Sequence, residues 1–223
     1  MTSSTADSAL ADFQRGMAAY ESGDYETALR ELLKAAKQGN VEAQYNLGVI
    51  YADGEIVHKD DAEAVRWFRQ AAYQGYAPAQ FNLGMMYEHG RGVHKNDVEA
   101  VRWYREAAEQ GDATAQFNLG GMYRKGAGIP KDDAKAAYWY HKAAEQGLAE
   151  AQGNLGMMYA SGTGVSQDYI KAYMWISLAA AQRLERAASL LDDLQRDMTP
   201  SQIAQALARS RRWRPGSDTN ENQ

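Results

Sequence analysis

The chain has no cysteine. That absence removes disulfides, thiol nucleophiles and every zinc site built on sulfur ligands. It leaves the compartment open, since many exported proteins also lack cysteine. No uninterrupted apolar run approaches the ~20 residues that cross a bilayer, so no membrane insertion is expected. Basic charge is scarce: 24 Lys and Arg stand against 29 Asp and Glu, for a formal net charge of −5. Non-specific nucleic-acid binding needs a basic surface to displace counterions, and no nucleic-acid partner is expected. Met1 to Ala11 has neither a basic n-region nor an apolar core, which predicts no intact secretion signal. What is plentiful is apolar: 45% of the 223 residues are hydrophobic and 24% charged. That is enough for a core and too much for a disordered chain.

An internal period organises the sequence. The string Ala-Gln-x-Asn-Leu-Gly begins at Ala43, Ala79, Ala115 and Ala151, a constant step of 36 residues. Ala64, Ala100, Ala136 and Ala172 keep the same step, and Ala28 lies one period before them. So do the aromatic pairs Trp67-Phe68, Trp103-Tyr104 and Trp139-Tyr140, with Trp175-Ile176 a weaker copy. Gly39, Gly75, Gly111 and Gly147 close the units. A fixed period of this length is the signature of stacked supersecondary units.

Each unit reads as two helices. Ala43, Leu47 and Tyr51 recur at i, i+4 and i+8, one face of a first helix. It stops at Asp53-Gly54, and in later copies at Gly90-Arg91-Gly92, Gly126-Ala127-Gly128 and Gly162-Thr163-Gly164, glycines suited to a left-handed cap. Asp60, Asn96, Asp132 and Asp168 are positioned to cap the second helix. Glu63 and Glu99, three residues on, predict a capping box in two units. Val65, Phe68 and Ala72 form the second helix's buried stripe. Gly48, Gly84, Gly120 and Gly156 fall mid-helix, where glycine costs ~1 kcal/mol against alanine. The recurring cost predicts close approach of the partner helix through Ala64 and its equivalents. No segment alternates with period two, so no sheet is expected.

The ends depart from the pattern. Residues 1–11 read as a polar lead-in and 12–40 as a shortened first copy, its interhelix loop four residues shorter. Four full repeats follow at 41–76, 77–112, 113–148 and 149–184. Arg183 replaces the unit-ending glycine, and 185–215 read as capping helices. Thr199-Pro200-Ser201-Gln202 is a helix start, with a capping residue, proline at the first position and glutamine at the third. Residues 216–223 are polar and predicted disordered.

Ala-Gln-Tyr-Asn-Leu-Gly-Val-Ile-Tyr from Ala43 and Ala-Glu-Ala-Val-Arg-Trp-Phe-Arg-Gln-Ala-Ala from Ala62 resemble the Sel-1-like repeat, a 36-residue relative of the tetratricopeptide repeat. The first copy, Gly16 to Ala35 with Gly23-Asp24-Tyr25, resembles the tetratricopeptide repeat itself. Met198-Thr199-Pro200-Ser201-Gln202-Ile203-Ala204 resembles the closing segment of bacterial members. The likeness covers 12–213. It implies an all-α, right-handed α-solenoid of helix-turn-helix repeats with about twelve helices. It also implies an adaptor or scaffold rather than an enzyme. The disulfide-stapled exported branch is not supported, because its cysteines are missing. Ser8-Ala9-Leu10-Ala11 resembles the small-residue end of a signal peptide. The chain as it stands reads as cytoplasmic, and as periplasmic or secreted if a signal was removed before about residue 12.

Candidate binding residues lie on a second face of the first helices. Tyr45, Val49 and Ala52 sit at i, i+4 and i+7; their counterparts are Phe13, Met17 and Tyr20; Phe81, Met85 and Glu88; Phe117, Gly121 and Arg124; Gly153, Met157 and Ala160. In tetratricopeptide-like solenoids this face lines a concave groove, where aromatic and methionine side chains make adaptable pockets for a peptide. The alternative is packing between neighbouring first helices. The helix ends carry Glu21 and Asp53, then Glu88 with His89, then Arg124 with Lys125, then Ala160 with Ser161. That is either an orienting gradient or ordinary solvated surface. His58, His94 and His89 have no third repeating ligand, so no metal and no cofactor are expected. Arg209, Arg211, Arg212 and Arg214 surround Trp213; the simplest reading is arginines at a helix C-terminus and Trp213 sealing the last apolar layer. Gln44, Asn46, Asn82, Asn118 and Asn154 are read as bonding locally to the adjoining turn. No nucleophile–base pattern or phosphate loop appears.

The expected function is therefore a non-catalytic scaffold or adaptor holding a peptide or partner protein in the groove. One alternative is a segment of a larger assembly, docking through its convex face or its ends, with the Arg209 to Trp213 end or surface residues such as Trp67 and Trp103 mattering most. Another is an envelope glycan or peptidoglycan binder. A solenoid's exposed ends also leave homodimerisation open.

Overall fold

The computed structural model describes residues 2–216, with side chains from Ala6 onward. The tail expected to be disordered lies, past Gly216, outside the described residues. These form twelve α-helices and no strand, an all-α fold of helical hairpins repeating every 36 residues. No helix among them is long and apolar enough to cross a membrane. They divide into two compact units, Met1–Gln110 and Gly111–Gln223. Unit 1 holds α1 (Thr2–Glu21), α2 (Tyr25–Lys37), α3 (Val41–Asp53), α4 (Asp61–Tyr73), α5 (Ala77–His89) and α6 (Asp97–Glu109). Unit 2 holds α7 (Ala113–Lys125), α8 (Asp133–Glu145), α9 (Ala149–Ser161), α10 (Tyr169–Ala181), α11 (Ala187–Gln195) and α12 (Pro200–Arg212). The polar lead-in is itself helical and runs into the first hairpin as part of α1. Three residues join α1 to α2, against seven between α3 and α4.

Local chemistry sets the helix ends. Gly54 sits at φ 75° and returns its N–H to the Ile50 carbonyl, a left-handed cap repeated after α5, α7 and α9. The Asp60 carboxylate accepts from the Ala62 and Glu63 amides at 2.9 and 3.0 Å. Asn96, Asp132 and Asp168 cap α6, α8 and α10 in the same way. The expected capping boxes at Glu63 and Glu99 do not form. The backbone N–H of Asp60 donates to the Tyr51 carbonyl and that of Asn96 to the Tyr87 carbonyl, each at 2.9 Å. With that donor already satisfied, Glu63 and Glu99 pair instead with Arg66 and Arg102. The reciprocal box is present at α12, between Thr199 and Gln202. Arg183, standing where the other units have glycine, still adopts φ 64°; the turn outlasts the residue that favours it.

The hairpin core is small and tight. Ala43, Leu47, Ala79, Leu83, Ala115, Leu119 and Ala151 are fully buried. The mid-helix glycines make room first for a side chain; the expected close backbone approach is present at two of the alanines, Ala136 at 3.3 Å from a Gly120 Cβ and Ala172 at 3.0 Å from a Gly156 Cβ. A Cβ on Gly48 would lie 2.5 Å from the Phe68 ring, and one on Gly84 2.7 Å from Tyr104. On Gly120 it would meet Tyr140 at 2.9 Å, and on Gly156 Ile176 at 2.5 Å. Each partner stands four residues after the alanine the periodicity pointed to, one helical turn further along the facing helix.

A polar clamp recurs through the hairpins of each unit. Gln44 is buried; its Nε2 donates to the Ala36 carbonyl at 3.1 Å and its Oε1 accepts from Gln74 at 2.7 Å. Gln74 also reaches the Gly39 carbonyl. Gln80 with Gln110, Gln116 with Gln146 and Gln152 with Gln182 repeat the pair at 2.7, 2.8 and 2.9 Å. In the first hairpin the glutamine is replaced by buried Asp12, which accepts from Gln38 at 2.6 Å, from Lys34 at 2.9 Å and from Arg15. All three of these partners are donors, so an acceptor-only carboxylate suits the position.

Two outcomes follow from this packing. Gly84→Ala should lose about 1–3 kcal/mol in chemical denaturation through overpacking against Tyr104. Gly121→Ala, whose Cβ meets nothing nearer than the Tyr140 hydroxyl at 3.7 Å, should be neutral or gain up to about 1 kcal/mol from helix propensity. The Lys34 hydrogen bond holds the Asp12 carboxyl below its usual value against the opposing effect of burial, helped by Gln38 and the Lys34 and Arg15 charges. Its contribution is thus present above the unfolded value near 3.8 and lost as pH falls through the folded one. Asp12→Asn should be less stable than the parent at pH 7, and the gap should close in strong acid.

Candidate functional site

The proposed binding face is carried by the first helices, and the packing that buries one side of each helix leaves this side half-open. In unit 1, Phe13, Met17, Tyr45, Val49, Phe81 and Met85 are all half-buried. Phe13 and Met17 lean on the cluster around Leu32 and Leu47, and Tyr45 and Val49 on the one around Phe68 and Leu83. The Tyr45 ring lies 5.9 Å from Phe68 and 5.3 Å from Tyr76, and Phe81 lies 5.9 Å from Tyr104. These side chains therefore serve packing within and between hairpins and present a remaining edge to solvent. Tyr20, edge-on to Tyr25 at 5.7 Å, and Asp53 are exposed.

In unit 2, Phe117 is half-buried with its ring 5.5 Å from Tyr140, and Met157 is half-buried on α9. The stripe closes at the last repeat. At Gly153, the counterpart of Tyr45, the Leu184 side chain moves in to 2.8 Å from where a Cβ would be, and Arg186 bonds the Asn154 amide oxygen at 2.7 Å. The segment leading to α11 thus covers the position that carries an aromatic ring in the four other first helices.

The charged residues split into two kinds. Arg124 and Lys125 are exposed in the last turn of α7, where the helix dipole favours cations. Glu88 is half-buried and accepts from the Tyr104 hydroxyl at 2.6 Å. The repeat shows why. Ala52 packs on the cluster that holds Phe68, Glu88 meets the Tyr104 hydroxyl and the Arg124 charge acts on Tyr140: in these copies the charged residue accompanies a ring with a hydroxyl. Burial raises the Tyr140 pKa, and the Arg124 charge, an Asn154 hydrogen bond and Arg186 pull it back. This pairing is visible in the aligned copies once the 36-residue step is taken across both helices.

Other candidates find structural places. Trp67 and Trp103, expected as surface docking residues, are 2% and 4% exposed. Neighbouring hairpins cover them, the Arg66 and Arg102 guanidinium groups lie 5.0 Å from their rings, and their indole N–H groups are buried without a partner. Trp213 is half-buried and edge-on to Trp175 at 6.0 Å, with Arg211 and Arg212 exposed in the last turn of α12. His58, His89 and His94 are exposed, and no group of three potential metal ligands occurs among the described residues. Asn46 bonds locally, to the Glu42 carbonyl at 2.9 Å. Gln44 does more than that: it reaches across the turn and pairs with a residue 30 positions on.

Comparison with known proteins agrees with this architecture. The Sel1 repeat profile matches residues 10–40, 41–76, 77–112, 113–148 and 149–184. The crystal structure of a Sel1 repeat protein from Oxalobacter formigenes is similar at 39% identity and TM-score 0.76, over 81% of this chain and 74% of that one. A protective antigen present in uropathogenic Escherichia coli strains, with an SLR fold, is similar at 32% identity and TM-score 0.58. That match covers 92% of this chain and 53% of the antigen, so the chain spans about half its length. No curated protein matches.

The Glu88–Tyr104 pair gives a direct test. Tyr104→Phe alone should cost about 1 kcal/mol, by losing the hydrogen bond and leaving a half-buried carboxylate. The double variant Glu88→Ala/Tyr104→Phe reproduces the Ala52–Phe68 pair and should cost less than the two single changes combined, as read by a double-mutant cycle in urea.

Proposed function

The chain belongs to the Sel1 repeat family, whose members are generally protein-interaction scaffolds, and on that footing we propose that it is a non-catalytic adaptor binding a partner peptide along its first helices. The observation that carries this is the half-open apolar stripe of unit 1. Phe13, Met17, Tyr45, Val49, Phe81 and Met85 keep solvent access, while Ala43, Leu47, Ala79 and Leu83 on the same helices are sealed. An apolar segment laid on these edges gains burial at ~25 cal/mol per Å². It adds little ordering cost on the adaptor side, because the rings are already fixed against Phe68, Tyr76 and Tyr104. Asp53 and Tyr20 flank the stripe and supply polar selectivity; in unit 2, Phe117, Met157, Arg124 and Lys125 extend the same logic with basic character.

Alanine replacement of a stripe ring also removes packing, so crosslinking is the cleaner experiment. A photoreactive residue placed at Tyr20 or Met85 of the full chain, in cells of the source organism, should capture a partner several-fold more efficiently than one at Tyr73 or Val98. Those two are exposed hydrophobics on the second helices, at 67% and 62%. Adducts confined to Tyr73 and Val98 would move the interface to the second-helix side and overturn the proposal.

A further inference from the structure

A cleft of ≈ 270 Å³ opens between α8 and α9, lined by Ala134, Ala137, Tyr138, His141, Lys142, Leu155, Tyr159 and Val165. The two preceding full repeats serve as internal controls for it. On the α9 side the lining repeats: Leu155, Tyr159 and Val165 stand where unit 1 has Leu83, Tyr87 and Val93. On the α8 side four positions change together. Ala137 replaces Val65 and Val101, Tyr138 replaces Arg66 and Arg102, His141 replaces Arg69 and Arg105, and Lys142 replaces Gln70 and Glu106. They fall on one stripe of the helix, with Ala134, at i, i+3, i+4, i+7 and i+8.

The substitutions remove bulk from the α8 wall. In unit 1, Val65 is buried and Arg69 crosses to bond the Tyr87 hydroxyl at 3.1 Å. In the later copy two methyl groups are gone with the valine, and His141 is turned to Glu145, 3.4 Å from its Nδ1, and to the Trp175 ring at 5.8 Å. The Tyr159 hydroxyl is bonded by no protein group among the described residues. Burial, together with the Asp168 charge, raises its pKa, so it remains a donor. The Lys142 and Lys171 ammonium groups lie 5.7 and 5.4 Å from the Tyr138 and Tyr159 ring centres. No carboxylate pairs with either lysine among the described residues.

We infer that this cleft is a binding site for a small aromatic carboxylate, independent of the first-helix stripe. A dry cavity of about 150 Å³ already holds a benzene ring, so the volume here admits a ring and a short acidic arm. The ring is met by Leu155, Ala134, Ala137 and the face of Tyr138. The carboxylate is met by the Lys142 ammonium, with the Tyr159 O–H as a directional donor. A free acid and the C-terminal phenylalanine of a peptide both carry this chemistry.

The test titrates the full chain with 3-phenylpropanoate, 3-phenylpropanamide and Gly-Gly-Phe with a free or amidated terminus, followed by amide NMR shifts at Leu155, Tyr159 and Val165. Saturable shifts are expected with the acids, several-fold weaker with the amides. Tighter binding of Gly-Gly-Phe than of 3-phenylpropanoate assigns the source to a peptide terminus, and the reverse to a free acid. Ala137→Val/His141→Arg restores the unit 1 residues, keeps the repeat's own packing, and should weaken binding about tenfold or more; Lys142→Gln should weaken it several-fold. No saturable shift with either acid, undiminished affinity in Ala137→Val/His141→Arg, or equal binding of acids and amides would each overturn the inference.

Discussion

The buried carboxamide clamp is the constraint on which the rest of the chain depends. Each hairpin core combines many alanines and a leucine with inserted rings such as Phe68, Tyr104 and Tyr140. Apolar burial is non-directional and does not by itself fix one spacing. A buried glutamine does, because displacing it strands a donor and an acceptor, each at about 1–3 kcal/mol. In unit 1, Gln44 binds the carbonyl of the helix before it and the glutamine of the helix after it, so one side chain holds three helices at a single spacing. Asp12 fits this account: an acceptor-only group stands where all three partners donate.

With the spacing held, the glycine slots and the rings that fill them become consistent. Gly48 and Gly84 can be bare only because Phe68 and Tyr104 are delivered to the same height each time. The rings also explain the half-open stripe. Tyr45 and Phe81 are braced on these inserted residues, which fixes their faces and leaves their edges available. The surface that the proposed adaptor role uses is therefore the outer edge of the packing that forms the hairpin stack, and mutations that test one disturb the other.

Departures from the repeat mark where the chain does something besides stack. Glu88 and Arg124 differ from Ala52 because a hydroxyl faces them, a local need met locally. The changes at Ala137, Tyr138, His141 and Lys142 differ in kind: they reduce packing on one wall while the facing wall is kept. A repeat protein that only stacked would gain by refilling that volume with the valine and arginine it uses elsewhere.

The period, the helix pairs, the capping residues and the left-handed glycines were all legible from the amino-acid order, because each depends on residues within a turn or two of one another. The apolar face of the first helices was legible too, through its i, i+4, i+7 spacing. Legibility ended where a partner comes from another helix. Glu63 and Glu99 have the capping-box spacing, yet the donor they would serve is taken by the carbonyl of Tyr51 or Tyr87, nine residues back on the preceding helix. Trp67 and Trp103 look like surface residues on a helical wheel, and only the neighbouring hairpin buries them. The Gln44–Gln74 pair and the cleft beside His141 belong to the same class. Sequence alone determined which elements form, since helix initiation and termination are short-range events. The tertiary structure decided which polar groups meet, which rings are sealed and where space is left, since those outcomes depend on distances that no single helix sets.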